Sequence, residues 1–548
     1  MPEKVIFDAV LAHGSDAAFR KEEDENGFRF TICPNTETKT ESVTAYLPFE
    51  FKKDDRLFLN GYQSWTQSRE YGVRDFDRSM RFCPKFLDKK FEFSAYGDGG
   101  FYKKEYRKGV LHGYSYAYIR RGDEYFFFGS LAENTGFTRI IFNTVFNRVI
   151  FQKDCAGRVT ATEYKVFDIF FARGREKEVF DAWFEKLGIT PRSVTKKNGY
   201  TSWYDRYQDI SQSVIENALR GFDRLDKTPD IFQIDDGFET KVGDWLRIDK
   251  TKFPNGLEPI VKAIKEKGCE AGIWLAPFVC QKDSALANDH PDWLLRDKSG
   301  KPVGGGSNWG GAWALDFYNN DVREYLRECF AFYKNLGFGL FKLDFLYAAC
   351  MIPLPDKTRG EIMFEAADFL RELCGNREIL ACGVPLLPVF GKVEYCRIGM
   401  DMSLSWDDKP YMRLFHSERP STKNTVLNTV FRRQLSGRAF LNDPDVFLLR
   451  ERNTALSPEQ KSTLATANAL FGGLLFVSDD FSEYSEKQLA EYKTVLALSG
   501  RAENISVSPA AAPTVTYTLD GEQKNAQTRL KIKQNNATRR RRLSSAGF

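Results

Sequence analysis

The sequence predicts a multidomain α/β chain with a central (β/α)8 barrel and β-rich domains on both sides. Three observations carry this. The chain has 548 residues, too many for one compact core. From about residue 198, short apolar runs alternate with amphipathic stretches long enough for helices. Before and beyond that region the runs are short and alternate with period two, as in antiparallel strands.

Residues 1–190 are dense in Phe and Tyr, with alternating runs such as Phe28-Arg-Phe-Thr-Ile and Tyr114-Ser-Tyr-Ala-Tyr-Ile. Gly-Asp-Gly-Gly at 97–100 and Arg-Gly-Asp at 121–123 read as turns. An antiparallel β-sandwich is expected there. The barrel is placed at 191–472. Its strand candidates are Tyr200–Tyr204, Ile231–Ile234, Ala271–Pro277, Trp313–Phe317, Phe338–Phe345, Ile379–Gly383, Glu394–Ile398 and Phe440–Asn442. Helices are expected at Ser211–Leu225, Pro254–Lys267, Asp321–Leu336 and Arg359–Leu373, the third capped near Asn320-Asp321. Eight βα units fit a barrel in size and period. The rival, a doubly wound open sheet, lacks a Gly-x-Gly-x-x-Gly in the first βα turn. After Gly472, runs such as Leu474–Val477 and Thr514–Leu519 predict a small C-terminal antiparallel β-sandwich at 473–535. A flexible basic tail with arginines at 539–542 follows at 536–548. Asn-Gly-Tyr-x-Ser-Trp occurs at 60–65 and 198–203, but the flanking sequences do not repeat.

Composition removes several classes of function. A net charge of +4 over this length implies no strongly acidic partner, so no nucleic acid is expected. No apolar run approaches a membrane span, so no membrane partner is expected. The first residues lack a basic segment followed by an apolar one, and the ten cysteines show no CxxC. A cytoplasmic protein with free thiols is the expectation. The four histidines are not paired at ligand spacing, so no metal site is expected.

The chemistry concentrates at strand ends, where barrel enzymes keep it. Phe338-Gly-Leu-Phe-Lys-Leu-Asp-Phe-Leu-Tyr places Lys342 and Asp344 on one side of a buried strand. Such a charged pair is costly unless used, and the cation is expected to hold Asp344 ionised as a nucleophile. Asp235 and Asp236 follow Ile231–Ile234 and suit hydroxyl binding; too few further oxygen ligands accompany them for Mg²⁺ or Ca²⁺. Asp401, four residues after Arg397, suits a proton donor, a role that needs a raised pKa. Trp65, Trp203 and Trp274 offer faces on which a sugar ring can stack.

Asn-Gly-Tyr-Thr-Ser-Trp-Tyr, Gln-Ile-Asp-Asp-Gly, Gly-Ile-Trp-Leu-Ala-Pro-Phe, Phe-Lys-Leu-Asp-Phe, Cys-Gly-Val-Pro and Arg-Ile-Gly-Met-Asp, in this order, resemble glycoside hydrolase family 36, mainly α-galactosidases of clan D. The resemblance covers roughly 60–445. It implies an N-terminal β-supersandwich, a catalytic (β/α)8 TIM barrel, a C-terminal β-sandwich, and a retaining double displacement without cofactor. It assigns Asp344 as nucleophile and Asp401 as acid/base, a pair that should stand about 5–5.5 Å apart. It implies that Lys342, Asp235 and Asp236 bind sugar hydroxyls, and that Trp203, Tyr204 and Trp274 form an aromatic wall. It sets Arg397, Cys382 and Gly383 near the sugar's 2-position and lets Trp65 reach over the barrel mouth. Many members carry a Gly-rich run after the cysteine; here it reads Cys382-Gly383-Val384-Pro385, which leaves galactose and N-acetylgalactosamine both open. The implied partner is an oligosaccharide or glycoconjugate with terminal α-galactose (or α-N-acetylgalactosamine). Other readings are a raffinose-synthase-like galactosyl transferase and a non-catalytic carbohydrate-binding protein. The aromatic N-terminal region permits a homo-oligomer.

Overall fold

The structure, a computed structural model, describes residues 4–192, 195–508, 513–519 and 522–529. The chain forms two compact units, one through Gly500 and one from Arg501.

The N-terminal region is a pair of antiparallel sheets. One contains Ile6–Leu11, Thr38–Pro48, Arg148–Lys153, Thr138–Asn143 and Val110–Tyr114, with Arg158–Thr160 on the side of Thr38–Pro48. The other runs Ala17–Asp24, Gly27–Pro34, Tyr164–Gly174, Glu124–Ser130, Tyr116–Arg121, Arg56–Leu59 and Arg69–Gly72. Alternate residues of both enter one core that holds Phe28, Phe30, Phe128, Phe142, Phe151, Phe167 and Phe171. Most of these rings meet edge to face, as the aromatic quadrupole prefers; Phe28 and Phe151 have centroids 5.3 Å apart. This explains the Phe-rich composition read from the sequence.

The next sheet is parallel throughout and curls back on itself. Its strands are Lys197–Thr201, Ile231–Ile234, Glu270–Leu275, Leu340–Leu343, Glu378–Ala381, Tyr395–Arg397, the split strand Leu441–Asp443 and Val446–Phe447, and Leu474–Val477. Leu441–Asp443 pairs with Tyr395–Arg397, and Val446–Phe447 pairs with Leu474–Val477. Between the two halves Pro444 has no amide to give a ladder, and Asp445 takes φ 74°. The sheet therefore closes through one interrupted seventh strand. At the opposite end from the site, Lys197 bridges Glu270 at 2.7 Å and Glu378 at 2.8 Å, tying the starts of three strands.

Two expectations are corrected. Trp313–Phe317 is not a barrel strand: Ala312–Ala314 lies in a three-stranded antiparallel sheet with Val279–Gln281 and Gly304–Gly306, inserted after the third barrel strand. Leu474–Val477, assigned above to a C-terminal sandwich, is the eighth barrel strand, so the sheet extends past 472. Both errors arise because a short buried apolar run has no periodicity that says which sheet it joins. Beyond it, Glu486–Arg501 is a helix, and a three-stranded antiparallel sheet (Ala502–Val507, Thr514–Leu519, Glu522–Arg529) follows in the second unit. The predicted tail at 536–548 lies outside the described residues.

Helices follow most barrel strands. Gln212–Gly221 starts at Ser211, whose side chain accepts from Val214 N. Glu258–Glu266 and Asn320–Leu336 match their predictions closely, although the cap of the latter is Asn319. Arg359–Cys374 opens with a reciprocal Thr358/Glu361 capping box. Between the fifth and sixth strands there is only the 3-10 turn Leu387–Val389.

One loop of the sandwich is built into the barrel mouth. Residues 60–68 connect Arg56–Leu59 to Arg69–Gly72. Arg432, fully buried, donates to Asn60 Oδ1 (3.0 Å) and to the carbonyls of Gln63 (3.0 Å), Ser64 (2.6 Å) and Ile398 (2.8 Å). Burial lowers its pKa to about 10. Asn428 donates to Thr66 O and accepts from Ser68 N, each at 3.0 Å. Ser64 N donates to Val384 O at 2.8 Å. The two copies of Asn-Gly-Tyr-x-Ser-Trp fold differently: this one is the loop, whereas 198–203 runs from barrel strand into the short helix Trp203–Arg206.

Candidate active site

Asp344 follows the fourth barrel strand and is 7% exposed. Its carboxylate accepts from Trp274 Nε1 at 3.1 Å and from Phe345 N at 2.9 Å. Phe345 adopts φ 55°, a left-handed conformation that costs a non-glycine residue about 1–3 kcal/mol. That turn folds the chain back so that the Phe345 amide reaches the preceding carboxylate.

Lys342 does not pair with Asp344 as expected. Its ammonium donates to Asp235 Oδ2 at 2.8 Å, while the Trp274 indole donates to Asp344 Oδ2. Burial opposes the lysine's charge, but Asp235 and then Asp344 outweigh it and raise its pKa. Asp235, 2% exposed, also accepts from Gln233 Nε2 (2.7 Å) and Thr201 Oγ1 (3.2 Å).

Asp236 diverges from its neighbour. It accepts from Trp309 Nε1 at 2.8 Å and from Gln208 Nε2 at 3.1 Å. Burial raises its pKa. Nearby Glu239 is raised well above the usual carboxyl range by burial and by the charge of Asp236. Trp309 holds φ 57°, so a second left-handed aromatic aims its polar atom at a carboxylate.

Asp401 lies in the loop after the sixth strand, where Arg397 Nη1 donates to it at 2.9 Å. Its side chain is 42% exposed and lines a partly open cavity. Removal from bulk water pushes its pKa up to about 7; Arg397 opposes this, and the charges of Asp445 and Asp344 add to it. Arg397 is a buried hub that also donates to Asp443 at 2.7 Å and lies 3.0 Å from Asp445. Tyr204 OH donates to Asp445 at 2.5 Å. Asp443, Asp445, Trp309 and Gln208 were not singled out as site residues. Their only signals were two aspartates around a proline at a strand end and an indole between glycine clusters.

Trp65 overhangs this group. Its Nε1 lies 3.4 Å from Cys382 Sγ, and its ring packs edge-on to Phe345 with centroids 5.1 Å apart. A Cβ on Gly383 (φ +58°) would stand 2.9 Å from the Trp65 ring, so glycine is required there. Burial raises the Cys382 pKa, keeping it a thiol. Trp203 packs edge-on to Tyr207 and is half-buried.

A cavity of about 780 Å³ runs outward from Trp65, Phe345 and Asp401. Asp344, Lys342 and the Asp235–Asp236 pair do not line it. Among the described residues no cluster of His, Cys, Asp and Glu has metal-binding geometry, no helix is long and apolar enough to cross a membrane, and all ten cysteines are unpaired.

Carboxylates at the carboxyl ends of curled parallel strands gather beneath an aromatic roof, an arrangement suited to holding a polyhydroxyl ligand. Comparison with known proteins agrees. Residues 201–345 match the Melibiase family. Alpha-galactosidase AgaA from Geobacillus stearothermophilus is 30% identical over 134 residues, which is 23% of this chain and 17% of that protein. The match therefore spans about a sixth of that relative's length. TtGalA, an α-galactosidase from Thermus thermophilus solved with p-nitrophenyl α-D-galactopyranoside, superposes with TM-score 0.73 at 25% identity, covering 93% of this chain and 99% of that one. The structure of the family 36 enzyme AgaA shares the fold with TM-score 0.55 at 12% identity, covering 95% and 77%. These likenesses are to glycoside hydrolases built on this fold. The chain is similar to members of glycoside hydrolase family 36.

Proposed function

We propose that the protein is a retaining exo-α-galactosidase that releases terminal α-linked galactose from oligosaccharides or glycoconjugates. The observation that carries this is the split between two carboxyl groups in one site. Asp344 receives two N–H donors, while Asp401 has a pKa near 7. Two N–H donors on one carboxyl and a raised pKa on the other suit a nucleophile and a proton donor respectively.

In this reading Asp344 attacks the anomeric carbon and Asp401 protonates the departing oxygen. Asp401 then takes a proton from water, which releases galactose with its α configuration retained. Lys342, Asp235 and Asp236 bind sugar hydroxyls, and Trp274 holds the nucleophile in line. Arg397 and its carboxylates orient Asp401. Trp203 and Tyr204 belong to the wall. Packing of Trp65 on Cys382 and Gly383 fills the side where, by resemblance, the 2-substituent lies. This favours galactose over N-acetylgalactosamine. A cytoplasmic location, where imported small sugars are met, belongs to the same proposal.

The test is proton NMR of turnover on an aryl α-galactoside, with Asp344→Gly beside wild type. The expected result is first-formed α-galactose, loss of at least about 10⁴ in kcat in the variant, and rescue by azide as β-galactosyl azide. First-formed β-galactose overturns the retaining assignment. Turnover of the N-acetyl analogue alone changes the substrate.

A further inference from the structure

The outer cavity is not accounted for by the groups that would hold galactose. One wall comes from the sandwich segment between Arg69–Gly72 and Val110–Tyr114, which includes Phe93, Tyr96 and Lys104. The other comes from the barrel loop that carries Asp401, Met412, His416 and Glu418. Asp401 sits on the boundary, where a departing sugar oxygen would be protonated.

The less exposed charges in these walls are already paired, while Lys85 and Lys103 line the cavity from exposed positions. Lys104 lies 3.2 Å from Asp98, 3.3 Å from Asp77 and 4.0 Å from Glu418. Asp98 also meets His112 at 2.7 Å and Tyr114 at 3.1 Å. Arg419 is paired with Asp407 and Asp408. Walls whose less exposed ions satisfy one another favour a neutral guest over an ion.

His416 is the exception. It is 7% exposed, lines the cavity, and stacks obliquely on Phe93 with centroids 5.0 Å apart. Neither ring nitrogen has a hydrogen-bond partner among the described residues, which is unusual for a buried imidazole. Burial first, then the charges of Lys104 and Arg419, pushes its pKa down to about 3, so the ring is neutral and offers one donor and one acceptor. A volume of about 780 Å³ lies in the range that encloses ligands of disaccharide size.

We propose that this chamber is the subsite for the leaving group, that it takes a neutral sugar portion of up to disaccharide size, and that His416 binds one of its hydroxyls. The inference rests on the galactosidase reading. It makes the N-terminal sandwich a determinant of which oligosaccharide is cut.

The test compares kcat/KM for raffinose with that for p-nitrophenyl α-galactoside in wild type, His416→Phe and His416→Gln. The expected result is a raffinose-to-aryl ratio about 3- to 10-fold lower in His416→Phe, the effect of one neutral hydrogen bond, and largely restored in His416→Gln. An unchanged ratio in both folded variants overturns the proposal. Calorimetric titration of wild type with sucrose probes the chamber without turnover. Saturable binding weakened in His416→Phe supports the subsite, and no binding by wild type overturns it. Wild type that binds sucrose but cleaves no galactoside overturns the enzymatic reading and leaves the chamber standing.

Discussion

At the residue scale the decisive group is Asp401. Its carboxyl must be protonated to donate, and its pKa lies near 7. Galactoside cleavage should therefore lose kcat/KM as pH rises through about 7. Asp445→Asn removes a negative neighbour and leaves Arg397 shared only between Asp443 and Asp401; both changes lower the Asp401 pKa. The alkaline limb of the pH–kcat/KM profile should move about 1 unit to the acid side. A limb that stays in place would assign the titration to another group. Much of this residue-level picture was legible in the sequence. Asp344 stood out because a carboxylate inside an apolar run at a strand end has few structural uses. The partner of Lys342 was not legible, because three strands set which oxygen its ammonium meets. Nor was the Trp309–Asp236 contact, since it depends on a left-handed tryptophan that no propensity scale favours.

At the scale of elements, the loop 60–68 is a strand connection used as an active-site wall, and Arg432 pins it. Replacing Arg432 with Met leaves four buried acceptors without their donor. A loss of about 2–3 kcal/mol in stability is expected, together with a kcat/KM loss larger than the stability change explains, because Trp65 is no longer held over Gly383. Thermal melts and steady-state kinetics on the same samples check this. An unchanged melt would mean that the loop holds itself. The elements also show where pattern reading stops. The four predicted helices were placed well because their amphipathic stretches are long enough to show a helical period. The strands were miscounted in compensating ways: Trp313–Phe317 and Leu474–Val477 are both short buried runs, and only their pairing partners, far away in sequence, tell insertion from barrel. The break at Pro444 hid the seventh strand's second half for the same reason.

At the scale of the whole molecule, every candidate site residue lies in the unit that ends at Gly500. A chain ending at Arg501 should keep its melting temperature within about 3 °C and its specific activity unchanged. A collapse in either would give the second unit a share in folding or catalysis. No comparable cut exists at the front. The contact between Trp65 and Cys382 joins residues 317 positions apart, and glycine at 383 leaves room for nothing but the indole. The sandwich and the barrel are thus one unit of inheritance. A recombination that exchanged the first 190 residues for another sandwich would leave a notch above Gly383, and descent could repair it only by changing both partners together.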